Sequence, residues 1–304
     1  MQRHHFPDLV VDEARAIAEE AEAKNLDSTY MHFHLASLDF LQNDRAGVQR
    51  ELAVLNSRPE GKALAVSAER RMAYYDGKVA AGRKLLQSQV ETLESTGSKF
   101  AASYYVNETA IKESLVGNVD WARKTALQTI TWPLDADKKA YLALALALSG
   151  DTDRPTQMLD EMAKAWPEGT WVRFVYGPEI RAAIALQKKD PITAIEELRV
   201  SPAFDLVDLK IPYLRGQAYL AAQQGPAAAT EFQKIFDHRG TAQTDAQIDV
   251  VIPLAQLGLA RAYAMSCQPD KAKIAYQDFF ATWKDADPDV PVLKQAKAEY
   301  AKLQ

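Results

Sequence analysis

Leu257-Gly258-Leu259-Ala260-Arg261-Ala262-Tyr263, followed by Pro269-Asp270-Lys271-Ala272 and then Tyr276, is the stretch whose reading decides the fold. Its first half carries leucines, small residues and a tyrosine with no β-type alternation, so it reads as a helix with a compact strip. Pro269 suits the first turn of a second helix, where a missing N–H costs nothing. Ala272 and Tyr276 are one helical turn apart and share a face. Two helices joined by a tight turn, each carrying a small side chain where the other comes close, follow from these residues.

Working outward, the same grammar recurs. Helix stops followed by starts read at Asn43-Asp44, Asp76-Gly77, Gly117-Asn118, Gly150-Asp151, Asp190-Pro191 and Gln224-Gly225-Pro226. The seventh, Cys267-Gln268-Pro269-Asp270, has cysteine where glycine is expected, so Cys267 reads as turn filler. Beyond each stop stands a compact residue: Val48, Gly82, Ala122, Pro155, Ala194, Ala228 and Ala272, spaced by 34, 40, 33, 39, 34 and 44. One turn later come Leu52, Leu86, Ala126, Leu159, Leu198, Phe232 and Tyr276. Upstream of the stops the partner helices carry Ala36, Ala110, Ala143, Ala182, Gly216 and Ala260, while Arg70 holds that place in the second unit and makes it degenerate.

The 304 residues, 47% hydrophobic and 25% charged, can bury a large core. A formal charge of −5 removes the cationic excess of a nucleic-acid binder, so no nucleic acid is expected as partner. One cysteine allows no internal disulfide and no thiolate metal site. The start lacks a signal-peptide pattern and no apolar run approaches membrane-spanning length, so a cytoplasmic location and no membrane span are expected. The fold class predicted is all-α. One domain is expected over residues 1–304, with an N-terminal capping helix over 1–26, about seven divergent helix pairs over 27–288 and a C-terminal capping helix over 289–304. The fifth pair is predicted over Glu179 to Arg199, and loops fall at Trp166-Pro167-Glu168-Gly169 and His238-Arg239-Gly240, among others.

A helix pair repeating at about 34 residues with these small positions resembles the tetratricopeptide repeat, which implies a right-handed α-solenoid. Four further strings carry a narrower resemblance. They are Pro212-Tyr213-Leu214-Arg215-Gly216-Gln217-Ala218-Tyr219-Leu220, Glu231-Phe232-Gln233-Lys234-Ile235, Asp237-His238-Arg239-Gly240 and Trp283-Lys284-Asp285-Ala286-Asp287-Pro288-Asp289. They are similar to the C-terminal tetratricopeptide region of acidobacterial serine/threonine protein kinases and related winged-helix regulators. The resemblance implies a bacterial signalling context, with any kinase or DNA-binding domain lying before residue 1.

The residues themselves supply no kinase chemistry. No two glycines stand two apart, and there is no His-Arg-Asp or Asp-Phe-Gly; His238-Arg239 runs into Gly240. His32 and His34 point to different sides of a helix and His4-His5 sit at a terminus, so no metal is expected. Carboxylate pairs such as Glu19-Glu20, Glu196-Glu197 and Asp285/Asp287 read as solvated faces. No catalytic residue and no cofactor is called for, and the chain is read as a non-enzyme.

What remains is a surface. In arrays of this kind the first helix of each pair lines the concave side. Helical spacing from the small anchors puts Tyr30, Phe33, Ser37, Arg71, Tyr74, Tyr104, Asn107, Tyr176, Glu179, Tyr213, Gln217, Leu257 and Arg261 toward it. Of these, Tyr30, Phe33, Arg71, Tyr74, Tyr104, Asn107, Tyr213, Gln217 and Arg261 are the candidate partner contacts, aromatic and polar as recognition surfaces are. The lysine/asparagine clamp of carboxylate-binding repeats is missing. The leading reading is a protein-interaction module taking a protein or peptide in the groove. The alternatives are a regulatory region split from a kinase or winged-helix regulator, a homo-oligomerisation scaffold and a groove-site enzyme. The oligomeric state is left open.

Overall fold

Each turn inside a helix pair contains one residue in the left-handed region: Asn43 (φ 62°), Gly77 (73°), Gly117 (95°), Gly150 (88°), Lys189 (59°), Gln223 (59°) and Cys267 (55°). Around each, the same two backbone hydrogen bonds close the first helix. At Gly77 the N–H donates to the Tyr74 carbonyl at 3.1 Å and Lys78 N–H to Ala73 at 2.8 Å; at Cys267 the equivalents, to Ala264 and Tyr263, are 3.2 and 2.9 Å. The pattern pairs carbonyls that a helix C-terminus leaves open. Every compact residue of the second helices lies five positions beyond its left-handed residue, Asn43 to Val48 through Cys267 to Ala272. The irregular repeat interval is therefore absorbed outside this turn, and the turn with its packing residue is the conserved geometry of the array.

The computed structural model describes residues 8–205, 207–237 and 250–303. Helix α1 (Asp8–Ala23) leads seven pairs: α2 (Thr29–Leu41) with α3 (Arg45–Ser57), α4 (Lys62–Tyr75) with α5 (Val79–Ser95), and α6 (Lys99–Leu115) with α7 (Val119–Ala126). There follow α8 (Ala136–Leu148) with α9 (Asp153–Ala165), α10 (Gly177–Gln187) with α11 (Pro191–Glu197), α12 (Lys210–Ala221) with α13 (Gly225–Asp237), and α14 (Val251–Met265) with α15 (Pro269–Thr282); α16 (Pro291–Ala301) ends the array. No strand occurs among the described residues. The His4-His5 pair and the His238-Arg239-Gly240 loop lie outside the described residues.

The packing register read from the sequence is the one that forms. Ala36, Ala110, Ala143, Ala182 and Ala260 on first helices, and Ala122, Ala194, Ala228 and Ala272 on second helices, are fully buried. A Cβ at Gly216 or Gly258 would stand 2.7 or 2.5 Å from the Phe232 ring, and one at Gly82 would stand 2.5 Å from Tyr74, so these glycines permit close approach. First helices also stack on the next first helix, α2 on α4, α6 on α8, α8 on α10, α10 on α12 and α12 on α14. The result is an all-α solenoid of tetratricopeptide-like helix pairs. None of its described helices is long and apolar enough to cross a membrane.

The fifth pair starts earlier than predicted. Val172–Tyr176 forms a π-helical turn continuous with α10, closed by Gly177 N–H donating to the Val172 carbonyl. A Cβ at residue 177 would lie 2.6 Å from that carbonyl oxygen, and Pro178 has no N–H to continue the ladder, so the wide turn follows from Gly177-Pro178.

The array closes on itself. The segment after α15 docks on the turns of the second and third pairs, more than 170 residues earlier in the chain. Trp283 Nε1–H donates to the Tyr75 carbonyl at 2.9 Å, and its ring lies against Gly77. Asp287 N–H donates to the Gly77 carbonyl at 3.1 Å, and Val292 N–H to the Val116 carbonyl at 3.2 Å. Asp287 Oδ2 accepts from Ala80 N–H at 2.7 Å, capping α5, whose own N-cap residue Lys78 supplies no side-chain bond. Helix α14 also packs against α4.

Candidate inner-face binding site

Because the ends meet, the inner side is not an open groove along its whole length, and the candidate contacts divide. Phe33, Arg71, Tyr74, Asn107 and Tyr213 are buried, with exposures of 5% or less. Arg71 holds its guanidinium 5.8 Å from the Phe33 ring centre. Tyr74 donates to Glu113 Oε1 at 2.6 Å, and burial followed by the Glu113 charge pushes its phenol far up. Asn107 Oδ1 accepts from Thr129 at 3.0 Å. Tyr213 packs edge-on against Phe232 at 5.9 Å, and burial pushes its phenol up to about 12. These five fill spaces between helices, because the approach that the small residues permit leaves no free surface at neighbouring offsets.

Tyr30 is exposed, and Tyr104, Gln217 and Arg261 are partly so. Arg261 is already engaged by Glu299 of α16 in a two-pronged pair at 2.9 and 3.0 Å, where Tyr276 also donates to Glu299 at 2.9 Å. Gln217 bonds the Tyr213 phenol. Tyr104 sits in an aromatic group with Tyr105 and Tyr141, each 5.3 Å away.

Two polar clusters stand along the layer of first helices. The first fixes the second pair to the third: fully buried Arg70 donates to Glu108 and, at 2.6 Å, to Thr109, while Lys112 donates to the same carboxylate and Arg71 lies 4.0 Å from it. Burial opposes ionisation of Glu108, but the charges of Arg70, Lys112 and Arg71 outweigh it and hold the carboxyl below its ordinary range. Glu113 beside it receives Arg83 at 2.7 Å on both oxygens.

The second cluster joins α8, the π turn, α10 and the start of α12. Glu179 is 1% exposed, and its Oε1 accepts no hydrogen bond among the described residues. Lys210 Nζ lies 3.9 Å off, held instead by both oxygens of Asp208 at 2.6 and 2.5 Å and standing 5.6 Å from the Tyr141 ring centre. Tyr176 donates to Asp137 at 3.0 Å. Burial, then the Asp208 charge, raise the Glu179 carboxyl to about 8 against the pull of Lys210. Sequence spacing places Tyr176 and Glu179 on this face. Tyr141, Asp137, Asp208 and Lys210 escape it, because they stand at other offsets or in the connecting loop. Among the described residues no group of three or more His, Cys, Asp or Glu side chains is arranged to hold a metal ion.

A half-exposed aromatic strip continues from this cluster. Trp171 stacks on Tyr176 at 5.8 Å and leans on Phe204 at 6.0 Å, and Phe174 stacks on Phe204 at 6.2 Å.

No family model matches the chain, and no curated protein matches it. Among solved structures the chain is similar to one in the crystal structure of the APC/C hetero-tetramer Cut9-Hcn1, at 13% identity and a TM-score of 0.45. The match covers 96% of this chain, which spans 60% of the length of that one.

Proposed function

We propose that the chain is a non-catalytic scaffold that binds a partner protein or peptide on its inner side. The observation that carries this reading is the half-exposed aromatic strip Tyr104, Tyr141, Tyr176, Trp171 and Phe204, spread over successive units of a repeating array. Large rings beside charged groups are the composition of interface anchors. The Glu179 cluster favours covalent chemistry less, since its one amine, Lys210, is held by both Asp208 oxygens. The sequence resemblance to kinase-associated and winged-helix regulators supports a bacterial signalling context, in which the scaffold acts as a regulatory region on such a domain. Tyr30 and Tyr104 remain candidate contacts; the buried Phe33, Arg71, Tyr74, Asn107 and Tyr213 support the surface from below, and Gln217 and Arg261 contribute only their exposed parts.

The test is a pull-down with the immobilised chain, scored on Trp171→Ala and Tyr104→Ala. Loss of one discrete partner in both, with unchanged thermal melting, supports the scaffold. A partner list indifferent to both variants contradicts it.

A further inference from the structure

Glu179 poses a problem that the scaffold alone does not solve. A carboxyl group almost wholly out of water, with one oxygen accepting nothing, is costly and rare in folded chains. The charged groups acting on it are Asp208 and Lys210 from the start of the sixth pair; Tyr176 lies within reach of its charge and donates to Asp137, and Tyr141 of α8 lies against Lys210. Two carboxyls, Glu179 and Asp208, therefore share this space with one ammonium committed to Asp208, and Asp137 adds a third at the Tyr176 hydroxyl. Asp137 is exposed, while Tyr141, Tyr176, Asp208 and Lys210 are each partly exposed, so the cluster has a rim in water and a floor at Glu179. Its walls are aromatic, with Tyr104 and Tyr141 tilted at 51°. Acidic groups behind tyrosine faces attract a cation by charge and by the ring quadrupole together. Lys210, set against Tyr141, already shows the cluster holding one ammonium in this way.

We propose that this inner-face cluster, walled by Tyr104, Tyr141 and Tyr176 with Asp137 at its rim and Glu179 at its floor, receives an arginine or lysine side chain of a partner peptide. The proposal rests on the scaffold reading and names the chemistry of its ligand. An entering guanidinium gives the empty Glu179 oxygen a donor and balances the acidic excess. It also favours the ionised carboxyl, so binding tightens as pH rises from about 6.5 to 9 and releases a proton on the way.

The experiment titrates the full chain with the peptide acetyl-Gly-Ser-Arg-Ser-Gly-amide and with its citrulline counterpart, which keeps the shape and loses the charge. Tyrosine-ring and glutamate-carboxyl NMR signals are followed at pH 6.5, 7.5 and 9. The expected result is binding of the arginine peptide that perturbs Tyr141 and Tyr176, strengthens about fivefold or more over that range, and is at least about tenfold weaker for citrulline. Glu179→Gln should weaken binding and flatten the pH dependence. Asp137→Asn, at an exposed position that leaves the core alone, should weaken it by about threefold with the pH dependence kept. Equal binding of the two peptides, or a pH dependence that survives in Glu179→Gln, would overturn the proposal. A partner protein lost on Trp171→Ala but retained on Glu179→Gln and Asp137→Asn would also overturn it while leaving the scaffold standing.

Discussion

Helices α6 and α14 hold the same place in their pairs, and both are buried, yet by opposite means. Helix α14 buries eleven residues, all of them apolar or small except Gln256. Helix α6 buries Ser103, Asn107, Glu108, Thr109, Lys112 and Glu113. The difference begins with one residue. Where other first helices carry alanine or glycine, α4 carries Arg70, and α4 and α6 do not approach as closely as other successive first helices. The gap is filled by guanidinium, carboxylate and ammonium groups instead of by backbone approach. Apolar packing tolerates loss of one partner as a cavity; a buried charge network does not tolerate it, because what remains is a charge without a counter-ion.

The largest effect should therefore come from Glu108→Leu, which leaves Arg70, Arg71 and Lys112 around no carboxylate. A loss of about 3–5 kcal/mol in urea unfolding is expected, with partial recovery in the double variant Arg70→Met/Glu108→Leu. A loss below about 1 kcal/mol would mean the network is incidental. Because folding holds Glu108 ionised below the usual range, its contribution is complete above about pH 5 and fades as acid protonates it. In α14 the matching change, Leu257→Ala, should cost about 2–4 kcal/mol with little dependence on pH or salt.

Glu179 runs the other way. Its carboxyl is raised, so the folded state prefers the proton: there is no penalty below the ordinary carboxylate range, and the penalty grows as pH climbs to about 8. Glu179→Gln should stabilise the chain at pH 8.5, on the order of 2 kcal/mol, and change little at pH 4.5. Destabilisation at both would show that the carboxylate is satisfied in solution. A buried group that costs stability is often found at a working site.

The smallest effect lies in the turns. Lys189 and Gln223 occupy the left-handed positions that glycine fills at 77, 117 and 150. Lys189→Gly and Gln223→Gly should each be neutral to stabilising by up to about 1 kcal/mol, whereas Gly117→Ala, crowded against Pro291, should destabilise. Melting temperatures decide it.

These contrasts also show what the sequence could carry. The small-residue register and the glycine turns were legible because close approach and a positive φ each demand a residue type. Asp190-Pro191 and Gln224-Gly225-Pro226 marked two further turns, but not that Lys189 and Gln223 take their left-handed positions, since those residue types demand nothing of the kind. Arg70 read as degeneracy, and its role emerges only once Glu108 is seen 38 positions away. The inner-face list reached Tyr176 and Glu179 by helical offset. It could not separate buried from exposed members, because that depends on how far the array curls. Nothing local to Trp283 or Asp287 announces a docking place some 200 residues back.

That closure is the central claim, and the Ala80 amide tests it most directly. Ala80 stands in the first turn of α5, where backbone N–H groups have no helical partner and ordinarily exchange freely. With Asp287 docked, its hydrogen exchange should be slowed about a hundredfold or more, and Asp287→Ala should abolish that protection while leaving Leu86 in the same helix unchanged. Exchange of Ala80 at the open-chain rate in the unaltered protein would contradict the closed array.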